Sequence, residues 1–163
     1  MSKLNKLENI KPIFNIVLNA PDIPGNTGSI GRTCLATNCH LILIHPLGFD
    51  LSEKSVRRAG LDYWKYVDIT EYQNWDEFLN KENVTQENSH FFTKTAKKLI
   101  YDSNLNIGDY LIFGSETKGL PKEIMDKHQG QLCSFPMFSD KLRSINLSNI
   151  VTSAIYCGIG DLR

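Results

Sequence analysis

Short apolar runs alternate with polar, turn-rich segments along most of this chain. Ile13 to Leu18 is the first run of strand length. Asn19 to Gly28 follows, with two prolines and two glycines that mark a turn. From Thr27 the apolar positions Ile30, Cys34 and Leu35, with Ala36 alongside, fall at helical spacing, and Asn26 or Thr27 is the expected N-cap. Leu41 to Ile44 then returns to strand. Strand, helix, strand is a βαβ unit, which implies parallel pairing and a right-handed crossover.

The alternation continues. Ser52 to Ala59 reads as a short basic helix with Lys54, Arg57 and Arg58 on one face, either against phosphates or in solvent. Tyr66 to Ile69 reads as a weak strand, and Asn74 to Leu79 as a helix with Trp75, Phe78 and Leu79 inward. His90 to Thr93 is a further strand, and Lys94 to Asn106 a loop or short helix. Strand Tyr110–Phe113, a helix from Pro121 to about Lys127, strand Gln131–Phe135 and a helix from about Leu147 complete the pattern. No linker or repeat interrupts it. The expectation is one α/β domain over residues 13–163, with a mostly parallel sheet flanked by helices, preceded by an N-terminal arm over 1–12.

Two loops stand out. Tyr110-Leu-Ile-Phe-Gly-Ser-Glu-Thr-Lys-Gly-Leu-Pro121 leaves an apolar strand at Gly114 and reaches a proline suited to a first helical turn. Phe135 to Asn149 leaves a strand at Pro136 and meets a helix where Ser144, Asn146 and Ser148 can bond backbone groups. Strand ends that feed loops rich in backbone donors are where α/β sheets place ligands.

Composition narrows the class. The chain has 163 residues, 41% of them apolar and 22% charged, ordinary values for a globular domain. No apolar run is long enough to cross a bilayer, and Met1 to Lys11 lacks a signal-peptide core, so the cytoplasm is expected. Cys34, Cys39, Cys133 and Cys157 form no CxxC pair, and the four histidines have no metal-ligand spacing. Reduced thiols and no metal are expected. The formal net charge of zero argues against a broad nucleic-acid footprint and leaves a local basic patch open.

The phrases Gly114-Ser-Glu-Thr-Lys-Gly-Leu-Pro121 and Arg143-Ser-Ile-Asn-Leu-Ser-Asn149 resemble the second and third motifs of the SPOUT RNA methyltransferases. Asn26-Thr-Gly-Ser-Ile-Gly-Arg32 resembles the first. Pro46-Leu-Gly-Phe49 and Arg58-Ala-Gly-Leu-Asp-Tyr-Trp64 are similar to the branch that methylates the wobble ribose 2′-hydroxyl of tRNA. The resemblance runs from about Phe14 to Tyr156. It implies S-adenosylmethionine as cofactor, tRNA as partner, a homodimer with its site between subunits, and a C-terminal deep trefoil knot. Periodicity alone points to no knot.

It also implies roles for particular residues. Gly114, Phe135, Ser144 and Phe92 are expected at the cofactor, although Gly114 and Gly119 also read as turn glycines and Phe135 as core. Arg32 is the expected catalytic residue. A guanidinium stays protonated at neutral pH, so Arg32 is expected to position and polarise rather than to take a proton. Asn26 is expected at the ribose or as a cap, Glu116 against Arg32, the RNA or solvent, and Arg143 against RNA across a subunit boundary. Asn146 reads as fixing its loop, and Tyr156 as interface or core. Four positions depart from the family pattern: Lys118 where arginine is usual, Ile150 where alanine is usual, and Gly158 and Gly160 in the last helix, each weakening it by roughly 1 kcal/mol. Three alternatives remain: another tRNA or rRNA ribose as target, a silent RNA-binding module, and a nucleotide-binding α/β protein, which the absence of GxGxxG and P-loop patterns disfavours.

Overall fold

The computed structural model describes residues 4–58 and 61–162. Its sheet has six strands: β1 (Asn15–Asn19), β2 (His40–Ile44), β3 (Ile69–Tyr72), β4 (Ser89–Phe92), β5 (Tyr110–Phe113) and β6 (Leu132–Cys133). Their order is β3-β2-β1-β5-β4-β6, and all these neighbours pair in parallel. The helices are α1 (Leu4–Leu7), α2 (Pro24–Ala36), α3 (Glu53–Arg58), α4 (Trp75–Lys81), α5 (Lys122–Lys127) and α6 (Leu147–Asp161).

Period-two alternation sorts the strand side chains into two cores. Ile16, Leu18, Leu41, Leu43, Leu111 and Phe113 join Ile30 and Cys34 of α2 and Val151, Ala154 and Ile155 of α6. Val17, Ile42, Ile44, Tyr110 and Ile112 join Phe78 of α4 and Ile124 of α5. A sheet covered on both faces has no solvent-facing side, so its strands read as continuous apolar runs.

Two glycines let helices approach closely. A Cβ on Gly31 would lie 2.5 Å from the Trp64 ring, and one on Gly158 would lie 2.6 Å from the Phe14 ring. Gly158 is thus a packing residue that seats α6 on the sheet, more than a weak point of its helix. Gly160 has open space around its Cβ position.

Several expectations shift. α2 starts at Pro24, with Ile23 as an N-cap that offers no side chain, so neither Asn26 nor Thr27 is the cap. The weak strand moves from Tyr66–Ile69 to Ile69–Tyr72, because Trp64–Tyr66 forms a 3-10 turn that packs Trp64 on α2. β6 pairs over Leu132 and Cys133 alone; Ser134 makes an isolated bridge with Leu99. Leu79 is exposed, leaving Trp75 and Phe78 as the inner face of α4. In the arm, Leu7 reaches the first core. Lys54 and Arg58 are exposed, while Ala59, the Arg57 side chain and residues 1–3 lie outside the described residues. Among the described residues no helix is long and apolar enough to cross a membrane.

Candidate active site

Loops from the carboxyl ends of β1, β4, β5 and β6 enclose a cleft of ≈ 530 Å³. Phe92, Gly114, Phe135 and Ser144, the residues expected at the cofactor, all line it. So do Asn26, Glu116 and Arg143. One wall is aromatic. Phe92 stacks on Phe113 at 4.5 Å between centroids and faces Phe135 at 6.1 Å. Phe113 and Lys94 were missed from sequence. Phe113 carried a signal, since it is the last strand residue before Gly114. Lys94 carried none: its Nζ donates to the Arg143 carbonyl across 49 residues (3.0 Å).

The loop from Gly114 to Leu120 closes on itself. A Cβ on Gly114 would stand 2.0 Å from the Gly119 carbonyl carbon and 2.2 Å from the Leu120 nitrogen. The Gly119 N–H donates to the Ser115 carbonyl at 2.9 Å, and Gly119 holds φ +67°, where glycine is favoured. Gly114 is therefore needed for the loop's own return, a stronger demand than ligand approach.

Glu116 does not meet Arg32. Its carboxylate accepts from the Asp22 N–H (2.7 Å), the Ile23 N–H (3.1 Å) and Asn26 Nδ2 (3.2 Å). It thus supplies, from some ninety residues away, the acceptor that Ile23 lacks at the head of α2, where a negative charge also suits the helix dipole. Asn26 Oδ1 in turn accepts from Asn146 Nδ2 (3.0 Å), and Asn146 Oδ1 caps α6 at the Ser148 N–H (2.9 Å). One chain of hydrogen bonds, Glu116 to Asn26 to Asn146, ties together the three loops that carry the sequence motifs. It also occupies the side-chain amide of Asn26, which is 8% exposed.

Arg32 is outside the cleft lining. It is exposed on α2, with its guanidinium carbon 4.6 Å from the centroid of the Tyr63 ring. The Tyr63 hydroxyl donates to the Gly28 carbonyl at 2.8 Å, so this arginine rests on a ring anchored to its own helix. Arg143 is exposed at the rim. Tyr156 is also exposed, which excludes it from the core. The cysteines offer no chemistry here. Burial pushes the Cys133 thiol up to about 12, and burial, with Cys39 close by, raises Cys34 as well.

The SpoU rRNA Methylase family model matches residues 13–157. The chain belongs to this family. A relative from Burkholderia cenocepacia, a tRNA (cytidine(34)-2′-O)-methyltransferase, is 41% identical over 145 residues, 88% of this chain and 92% of that one. A solved structure reported for 2-OH methylation of C/U34 on tRNA superposes with a TM-score of 0.82 at 35% identity, covering 91% of this chain and 95% of its own. The SpoU methyltransferase AviRb from Streptomyces viridochromogenes, in complex with AdoMet, shares the fold (TM-score 0.77, 20% identity) over 96% of this SpoU-family chain and 60% of its own.

Proposed function

We propose that this SpoU-family chain transfers a methyl group from S-adenosylmethionine to the ribose 2′-hydroxyl of the wobble nucleotide of tRNA, in the cytoplasm and as a homodimer. The observation that carries the reading is the single cleft that gathers Phe92, Gly114, Phe135 and Ser144 between hydrogen-bonded motif loops. The relatives' names support the substrate.

The cleft fits the cofactor. Its volume is in the range of small-molecule sites, about 300–1,000 Å³. The Phe92–Phe113–Phe135 wall suits a flat heteroaromatic ring, and Ser144 and Lys94 supply polar groups for an amino-acid end. S-Adenosylmethionine supplies a methyl group on a sulfonium sulfur, ready for in-line attack.

The chain's own residues arrange the acceptor. Phe92 and Phe135 keep water from the cofactor wall. The Glu116–Asn26–Asn146 chain fixes the loops around the ribose. Arg32, resting on the Tyr63 ring, holds the RNA phosphate bidentately and orients the hydroxyl, whose proton passes by way of that phosphate to solvent and not to the guanidinium. Arg143 at the rim contacts RNA.

The dimer reading is supported by apolar side chains left in solvent, with Phe138 99% exposed, Leu142 61% and Tyr156 55%. The last third of the chain is read as the family's trefoil knot. The Lys94–Arg143 bond and the Leu99–Ser134 bridge, which bring residues 94–99 beside 134–143, support that reading.

The test is radiolabelled S-adenosylmethionine with total tRNA, followed by mapping of the labelled nucleotide. Label on the wobble 2′-oxygen, reduced about 10²-fold in Arg32→Ala, is the expected result. Label at another ribose overturns the position. Cofactor binding with no label on any tRNA favours a silent RNA-binding module.

A further inference from the structure

Residues 136–145 form part of the rim of the cleft, and few bonds hold them. Phe135 faces Phe92 just before the segment, and Asn146 is bonded to Asn26 just after it. Phe138 to Ile145 are exposed throughout. Among the described residues, one hydrogen bond joins the segment to the rest of the chain: Lys94 Nζ to the Arg143 carbonyl, at 3.0 Å. The segment nonetheless lines the cleft through Met137, Arg143, Ser144 and Ile145. So thinly tied a rim depends on that lysine for its position.

Lys94 has bonding capacity left. An ammonium carries three N–H donors, and one is used here. No carboxylate among the described residues pairs with it. The cleft wall is also short of negative charge. Lys94, Lys118 and Arg143 line it with a single carboxylate, Glu116, which is engaged by the Asp22 and Ile23 N–H groups and by Asn26. Of these three cations, Lys94 alone has its charged head placed by a hydrogen bond among the described residues, beside the residue that precedes Ser144.

We propose that Lys94 is a positioning residue that couples the two ligands: its ammonium pairs with the carboxylate of S-adenosylmethionine while it holds the Arg143 carbonyl, so that an occupied cleft fixes the rim that meets RNA. The proposal rests on the function given above and adds how occupancy of the cleft reaches the RNA-binding side. Lys94 is exposed, and while its head is solvated the bond to the carbonyl competes with water and is weak. A carboxylate alongside displaces that water and keeps the ammonium in one place, which strengthens its bond to the carbonyl. The rim, with the Arg143 side chain on it, is then ordered before RNA arrives. Such coupling is reciprocal: bound RNA tightens cofactor binding by the same factor.

The experiment measures affinity for a tRNA anticodon stem-loop with no ligand, with saturating S-adenosylhomocysteine, and with saturating 5′-methylthioadenosine. Both compounds carry the adenosine and the sulfur, the first alone carries the amino-acid end, and neither is a methyl donor, so binding is read without turnover. In wild type, S-adenosylhomocysteine should tighten RNA binding about tenfold, and 5′-methylthioadenosine should leave it unchanged. In Lys94→Met, which keeps the aliphatic stem, that gain should vanish. Its affinity for S-adenosylhomocysteine should fall about tenfold while its affinity for 5′-methylthioadenosine stays the same. Lys94→Arg, which keeps the charge and can donate to two acceptors, should restore most of both. Equal tightening by the two compounds overturns the proposal, because the amino-acid end then plays no part. A Lys94→Met protein that keeps the gain, or that loses affinity for both compounds alike, also overturns it. RNA binding indifferent to either compound, in an enzyme that still methylates the wobble ribose, overturns the coupling and leaves the function reading intact. No label from the wild-type enzyme on any tRNA overturns the function reading itself, and the coupling with it.

Discussion

The two ends of the parallel sheet are built on opposite terms. At the amino ends, polar side chains satisfy one another. Asn15 donates to the Gly108 carbonyl (2.8 Å) and meets His40 (3.2 Å), whose other ring nitrogen meets Thr70 (2.9 Å). His90 pairs with Asp109 at 2.9 Å, and Asp109 also accepts from the Asn106 N–H (2.8 Å). At the carboxyl ends the loops are tied to one another but leave room between them: a large cleft, a smaller pocket and an orphaned Thr27 hydroxyl. One end holds register, and the other holds space. In parallel α/β sheets ligands bind at the carboxyl ends, and here that end leaves the space.

The largest test is at Gly114. Gly114→Ala drives a Cβ into the Gly119 and Leu120 backbone, which cannot move aside as a side chain would. The expected cost is about 3 kcal/mol of stability, together with loss of the cleft. Urea unfolding and calorimetric titration with S-adenosylmethionine check both. Stability and cofactor affinity close to wild type would mean the loop opens freely and the cleft is not set by its closure.

At the other end, Asp109→Ala should separate stability from function. It leaves His90 (8% exposed) and the Asn106 N–H without their shared acceptor. A cost of about 2 kcal/mol is expected, a fall of about 6 °C in melting temperature for a domain of this size. The kcat per folded molecule should not change. A drop in kcat without a drop in melting temperature would break the division between the two ends.

Much of this was legible in the sequence, and the limits follow a physical rule. Tyr110–Phe113 was read to the residue because a strand buried on both faces is apolar throughout. Asn146 was one of three residues, with Ser144 and Ser148, expected to bond backbone at the entry to the last helix, and it is the cap, its acceptor lying two residues from its donor. The head of α2 was misplaced because its acceptor, Glu116, is remote in sequence and no local pattern reports such a partner. Gly114 was singled out for a ligand's approach, whereas the nearer constraint is the backbone of residues 119 and 120. The weak strand was begun at Tyr66, yet Trp64 to Tyr66 forms a 3-10 turn in which Trp64 answers to the bare face of Gly31. Local signals wrote the elements, and long-range contacts decided where they begin.

The smallest expected effect belongs to a closed polar cluster away from the cleft. Glu82, just past α4, accepts from the hydroxyls of both Tyr72 and Tyr110. Burial first, and the Glu82 carboxylate second, push the Tyr72 phenol up to about 12, and the same causes raise Tyr110. Folding therefore favours the neutral phenols. Their contribution is complete below about pH 10, where tyrosine in the unfolded chain begins to ionise, and it is lost as pH rises through the folded value. Tyr72→Phe removes one hydrogen bond to a carboxylate and should cost about 1.5 kcal/mol at pH 8. Between pH 10 and 12 the wild-type advantage should shrink, because the variant has no Tyr72 phenol to ionise. Denaturant unfolding at stepped pH reads that convergence. If the two stay parallel up to pH 12, the hydroxyl is not held by Glu82; if methyl transfer shifts along with stability, this cluster belongs to the open end of the sheet after all.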